Sequence, residues 1–400
     1  MKRVAILTLS EVEWGRTLYF VQSATVLTDG AKIKETQYSM KILYAAGLLP
    51  KESSLYRLWA LERLGHQVVP FNTFDYLPRN PLVSRATHLI SAGPSVSRLN
   101  RDLLRVAAEE GPDLFWADKL LSMRPSTLDR LRAMDIATVS YMIDNPFGTR
   151  RDRGWRLYMK NIPQYDLHVV QRDKNVLDYT SRGARDVMKI QTAYEPTLHF
   201  APPTGWSDAN RDREVSFVGT PYDDRANVLG RLWRECGFSV AVSGSAKLWG
   251  RAMLPDVFKA TFRDGELYCD DYRRAIWRSR INLSFLTHSN QDEFVHKSFE
   301  IAGCGGFLLA ERSTGHLERF KEDEEAVFFS TFEELAEKIR RYLPNEAARH
   351  RIAVAGNVRA ARDGYHNDRQ VGLIIERIQS ILSNRRTAGR NATPAPAGRQ

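Results

Sequence analysis

The sequence predicts an α/β protein made of two successive halves, each a parallel sheet with helices on both faces, opening onto a shared cleft. Three observations predict it. Short apolar runs alternate with amphipathic stretches along the chain. That rhythm is broken once, by the Pro-, Gly- and Asp-containing stretch Ala201–Asp212, which reads as a linker. The composition, 43% hydrophobic and 26% charged over 400 residues, is that of a soluble globular protein with room for two domains.

In the first half, Val4–Leu9 (VAILTL) reads as a buried strand. Leu55–Leu64 carries apolar residues at helical spacing, and Gly65 supplies a left-handed end. His66–Phe71 is the next strand, with Pro70 expected to end it. Helices follow at Leu99–Ala108, Ser126–Met134 and Lys174–Arg182; strands follow at Asp113–Ala117, Ile136–Ile143, Leu167–Val170 and Val187–Ile190. The second half repeats the pattern. Strands are expected at Val215–Gly219, Val240–Ser243, Ile281–Phe285 and Gly306–Ala310, and helices at Arg225–Cys236, Tyr272–Arg278, from Lys297, and at Phe332–Leu343. Thr331 is placed to cap the last of these, with Glu333 and Glu334 in its first turn. A final amphipathic helix covers Leu373–Leu382. The expected divisions are 1–200, a linker at 201–212, 213–382, and a disordered basic tail at 383–400.

No apolar run is long enough to cross a membrane. The start MKRVAILTL resembles a signal peptide only until Glu11 and Glu13, so a cytoplasmic location is expected. Three cysteines, Cys236, Cys269 and Cys304, fit neither a metal knuckle nor a disulfide framework. The formal charge is +10, of which four come from Arg385, Arg386, Arg390 and Arg399 in the tail. The body is therefore mildly basic, and no nucleic-acid-binding motif accompanies the charge.

The most informative stretch is Ile281–Glu311, INLSFLTHSNQDEFVHKSFEIAGCGGFLLAE. It reads as strand, polar loop, helix start, Gly-rich turn and strand. A carboxylate such as Glu300 and backbone amides near Gly305 and Gly306 suit a ribose diol and a diphosphate. The alternative is a first-turn acid complementing the helix dipole and a plain turn.

The segments KSFEIAGCGGFLLAE and VSFVGTPYDDRANVLGRLWRECGFSVAVSG, with AARHRIAVAGNVRAARDGYHNDRQVGLIIERI, resemble the CgeB-like (spore-maturation type) glycosyltransferases of the GT-B superfamily. The resemblance covers most of 213–380; SYMIDNPF and YDLHVVQRDKNVLDYTSRGARDV match more loosely. It implies two Rossmann-like domains and a last helix that crosses back onto the first half. It also implies a nucleoside diphosphate sugar as donor and a hydroxyl on a glycan, lipid or protein as acceptor. Glu300 then corresponds to the acid that holds the ribose, and Asp292, eight positions before it, to the acid facing the donor sugar. Asp stands there where the superfamily often has Glu. Lys297 occupies the neighbourhood of a family arginine, which keeps the charge and loses the bidentate fork. Gly219 and Arg225 match a "Val-Gly, then Arg" element near the diphosphate, a solvated helix-start arginine being the alternative for Arg225. Ser243 and Gly244, after a strand, are candidates to face the nucleobase, with a plain strand-end turn as the alternative. Tyr272 is expected to pack.

On the acceptor side, Trp14-Gly15-Arg16 is expected in a loop facing the cleft. Asp118 and Asp144 both follow strands and are the candidates for a general base, Asp144 first. Strand-end turn capping is the alternative for each. No cofactor or metal is expected, the leaving diphosphate being met by Arg225, Lys297 and helix-start amides. The competing readings are a non-catalytic nucleotide-sugar-binding or scaffold protein of the same fold, and a peripheral membrane or nucleic-acid binder acting through the tail.

Overall fold

The structure, a computed structural model, describes residues 9–14, 17–22, 39–148 and 152–391. Leu9–Trp14 (β1) and Thr17–Gln22 (β2) pair antiparallel. The expected strand Val4–Leu9 lies outside the described residues but for Leu9, as do Gly15 and Arg16.

Among the described residues the first parallel sheet starts at Lys41–Ala46 (β3), KILYAA, a run the sequence reading passed over. Gln67–Asn72 (β4), Leu114–Asp118 (β5), Ala137–Tyr141 (β6), Leu167–Val170 (β7) and Val187–Lys189 (β8) complete it in the order β4-β3-β5-β6-β7-β8. Pro70 sits inside β4 rather than ending it. An edge strand tolerates a residue with no N–H to donate on its open side. The helices are Ser53–Arg63 (α1), Pro81–Ile90 (α2), Pro94–Glu110 (α3), Pro125–Ala133 (α4), Trp155–Lys160 (α5) and Asp173–Thr180 (α6).

The second sheet contains Arg213–Val218 (β9), Val240–Ser243 (β10), Phe262–Asp264 (β11), Ser279–Ser284 (β12), Leu308–Glu311 (β13) and Val327–Phe329 (β14), ordered β11-β10-β9-β12-β13-β14 and parallel throughout. Its helices are Arg225–Arg234 (α7), Ala246–Ala252 (α8), Pro255–Thr261 (α9), Cys269–Trp277 (α10), His296–Gly303 (α11), Thr314–Leu317 (α12), Phe332–Tyr342 (α13) and Glu346–Arg362 (α14). The cap predicted for α13 is present: Thr331 accepts from the Glu334 amide at 3.1 Å.

Strand order reverses beside β3 in the first sheet and beside β9 in the second. At such switch points the loops leaving the carboxyl ends of the strands splay apart and open a crevice. The inner strands of each sheet are buried on both faces, which is why they read as continuous apolar runs. Val215, Phe217, Leu283 and Leu309 fill one side of the second sheet; Phe299, Ile301 and Phe328 fill the other.

Asn367–Asn391 (α15) leaves the second half and packs on the first. Val371, Ile374, Ile375 and Ile378 are fully buried with Ile42, Leu58 and Val139. Residues 383–391 thus continue a helix where a tail was expected, and 392–400 lie outside the described residues. The two chain crossings between the halves run side by side. Tyr194 donates its amide to Tyr365 O at 3.0 Å, and Asn367 donates to Tyr194 O at 2.9 Å.

Candidate functional site

A cavity of about 510 Å³ opens between the two sheets at the carboxyl ends of their strands. The first half contributes Lys119 after β5, Ile143–Asn145 and Gly148 after β6, and Gln171 after β7. The second contributes Tyr222 and Arg225 after β9, and Phe285–Asp292 with the start of α11 after β12. Of the residues singled out in the sequence, Asp144, Arg225, Asp292, Lys297 and Glu300 are brought together here.

Arg225, in the first turn of α7, is anchored on backbone. It donates to Leu286 O at 2.8 Å, Thr220 O at 3.2 Å and Thr287 Oγ1 at 3.1 Å. Its buried Nε has no hydrogen-bond partner. Burial pulls its guanidinium below the ordinary arginine range. Lys297, in the first turn of α11, lies between Arg225 and Glu300. Burial pulls its ammonium down to about 8; Glu300 opposes that pull and Arg225 reinforces it. Glu300 accepts from the Tyr272 hydroxyl at 2.8 Å. Tyr272 is therefore more than packing, because it fixes one oxygen of this carboxylate.

Asp144 stands across the cleft, its side chain 50% exposed and 4.0 Å from Lys119 Nζ. Lys119 carries the sequence signal of neither a motif nor a turn, and its φ of 53° is visible only in three dimensions. His296 lines the same floor. Burial, reinforced by Lys119, Arg57 and His199, holds its imidazole well below the usual range and so neutral.

Asp292 lines the cavity, but its carboxylate is engaged from the opposite half. Arg172, just after β7, forms an ion pair with Oδ1, and Asn290 donates to the same oxygen at 3.0 Å. Burial pushes the Asp292 carboxyl up while Arg172 pulls it down. Neighbouring contacts repeat the seam. Gln171 donates to Phe294 O at 2.9 Å, and the Asn145 amide donates to Asn290 Oδ1 at 3.1 Å. This loop thus ties the halves together, a role that no spacing in the sequence reveals.

Several of the singled-out residues lie away from the cavity. Asp118 does not reach the cleft. Its carboxylate accepts from Arg57 Nε at 2.6 Å and Nη2 at 2.8 Å and from the Tyr44 hydroxyl at 2.7 Å. Both charged side chains are essentially sealed from solvent. A carboxylate so fully committed is structural rather than catalytic. Gly305 and Gly306 lie at the far end of α11. The chain turns there into the amino end of β13, opposite the cleft. Gly305 packs against Ala201 and Pro202, and Gly306 against Ile276 and Asn282. Ser243 is buried and its hydroxyl donates to Asp264 at 3.2 Å. Gly244 has φ +151°, and a Cβ there would lie 2.2 Å from Gly219 O. These two residues let the ends of β9 and β10 meet closely. Gly219 itself does not line the cavity; it backs Lys297, whose Cε is 3.6 Å from where its Cβ would be.

Among the described residues no group of three or more His, Cys, Asp or Glu side chains is placed to hold a metal ion. No described helix is long and apolar enough to cross a membrane.

Residues 219–376 match a family described as glycosyl transferase-like. No curated protein matches the chain. Among solved structures it resembles sucrose-phosphate synthase from Thermosynechococcus elongatus at a TM-score of 0.62 and 12% identity, over 86% of this chain and 99% of that one. It resembles Anabaena HepE, solved with UDP-glucose, at 0.60 and 15%, over 86% and 100%. A UDP-forming trehalose-phosphate synthase from Burkholderia xenovorans aligns at 0.55 and 13%, over 87% and 99%. The fold is that of the GT-B glycosyltransferases. With a glycosyl transferase-like domain as the core of its second half, the chain is a glycosyltransferase enzyme of this architecture.

Proposed function

We propose that the protein moves a sugar from a nucleoside diphosphate sugar to a hydroxyl on a glycan, lipid or protein, and that it is of the CgeB-like type. One observation carries the reading. Arg225, Lys297 and Glu300 converge from the second half on the same cavity that Asp144 enters from the first.

Each group has chemistry to offer. Arg225 and Lys297 stand beside the start of α11, whose first amides have no partners within the helix. Together they suit the two phosphates, and the charge that builds on the leaving oxygen is met without a metal. Glu300 suits the paired ribose hydroxyls, since Tyr272 fixes the carboxylate in place. In transfer, the acceptor oxygen attacks the anomeric carbon, the bond from that carbon to the diphosphate breaks, and the nucleoside diphosphate departs. If configuration inverts, the acceptor proton passes to Asp144, which is half exposed and unburdened by any short ion pair. The cavity's partial enclosure keeps water from competing with the acceptor. Anabaena HepE, of the same fold, was solved with UDP-glucose; a uridine nucleotide is the first donor to try.

The test is a panel of nucleotide sugars mixed with the protein, with and without acceptor extracts, monitored for free nucleoside diphosphate. Acceptor-dependent release supports transfer. Tight donor binding with no release under any acceptor would instead indicate a binding or scaffold protein.

A further inference from the structure

Helix α2 is built inside out. Leu82, Val83, Ala86, Leu89 and Ile90 recur at the spacing that places them on one helical face, and all five are exposed. Leu82 is 78% and Ile90 70% exposed. The opposite face carries Ser84 and Thr87, which with the end residue Ser91 are the half-buried positions. A helix that stabilises a core does the reverse. This one is held by polar contacts instead. Asn80 caps it by accepting from the Leu82 and Val83 amides at 2.9 and 3.2 Å, and Pro81 occupies the first position. His88 contacts Asp152 at 3.1 Å, and Ser91 donates to Gly154 O at 3.3 Å.

Those anchors place the helix at the mouth of the cleft, because Asp152 and Trp155 line the cavity. The surroundings are cationic. Arg79, Arg85, Arg153 and Arg156 are exposed, and among the described residues none of the four forms an ion pair. Of the nearby acids, Asp152 faces His88 and Asp75 accepts from Asn72 at 2.9 Å.

We propose that α2 docks the protein on an anionic lipid bilayer. Its apolar face enters the boundary between headgroups and acyl chains, and the arginines lie among the lipid phosphates. The charge selects this occupant over a second copy of the chain. A two-fold pairing through α2 would set the arginines of one protomer against the same arginines of the other, whereas a bilayer of anionic lipid meets them with opposite charge. Docking in this way brings the cleft mouth to the lipid surface.

The experiment is co-sedimentation of the full chain with phosphatidylcholine vesicles containing or lacking phosphatidylglycerol. Binding should require the anionic lipid and weaken as salt screens it. Arg85→Gln should weaken it about fivefold. The double variant Leu82→Asp, Ile90→Asp should weaken it by at least about tenfold, with the melting temperature and donor-nucleotide release in vesicle-free solution unchanged. The proposal is overturned if the full chain ignores phosphatidylglycerol vesicles, or if the double variant binds them as the parent does. It is equally overturned if the parent forms a dimer that the double variant abolishes while neither binds vesicles.

Discussion

Raising the pH through Lys297 should loosen the donor. With its ammonium held at about 8, the free protein carries this charge on about nine-tenths of molecules at pH 7, half at pH 8 and one-tenth at pH 9. A bound diphosphate stabilises the charged form and raises that pKa toward the ordinary value. Donor affinity should therefore fall about tenfold from pH 7 to pH 9, and binding at pH 8 should take up about half a proton. Calorimetry of nucleoside diphosphate binding in two buffers of different ionisation enthalpy reads both quantities. The stability of the free protein moves the other way. Because the folded lysine lies below its ordinary 10.5, the unfolded chain binds more protons between about pH 8 and 10.5, and this residue's contribution to stability rises across that window. Lys297→Gln should bind more weakly at pH 7 and lose the slope. A parent protein with flat affinity from pH 7 to 9, or a Gln variant that keeps the slope, would refute the placement of Lys297 against the phosphates.

Glu300→Gln should weaken donor binding about tenfold, the cost of losing a charge-assisted hydrogen bond to the ribose, as read by the same calorimetry. Asp144→Asn should lower transfer turnover by at least about a hundredfold with donor affinity unchanged if the reaction inverts; single-turnover kinetics separate the two. Asp118→Ala should destabilise the fold by about 3–5 kcal/mol, because it strands Arg57 without its partner, and urea unfolding measures it. Gly244→Ala should also destabilise, since a side chain is strained at its φ and would collide with Gly219 O; the melting temperature reports it.

The four inner strands of the second half were legible because helices cover them, so VSFVG, VAVS, INLSF and GFLLA stand out as apolar runs; the short edge strands β11 and β14 were not read. The first half was harder. KILYAA, which the sequence reading passed over, forms the strand at the switch point, and its pairing with Leu114–Ala117 and Gln67–Asn72 distinguishes it. The cluster of Arg225, Lys297 and Glu300 was reached through the resemblance to the CgeB-like glycosyltransferases; a first-turn acid and a solvated helix-start arginine were the plain readings of the residues alone. The double glycine was readable, and was misplaced: a turn that follows a helix and leads into a parallel strand must lie at that strand's amino end, away from the cleft. The Arg172–Asp292 pair joins residues 120 positions apart, and the commitment of Asp118 to Arg57 and Tyr44 spans β3, α1 and β5. No local pattern carries either.

The helix that returns to the first half has a mechanical corollary. Its isoleucines complete a core they do not adjoin in sequence, so a fragment ending in the linker would be missing a wall and should not be expressed alone. The adjacent crossings, stitched together at Tyr194, Tyr365 and Asn367, act as a single pivot. The Arg172–Asp292 pair, with the Gln171–Phe294 and Asn145–Asn290 bonds beside it, forms a second tie between the same two halves.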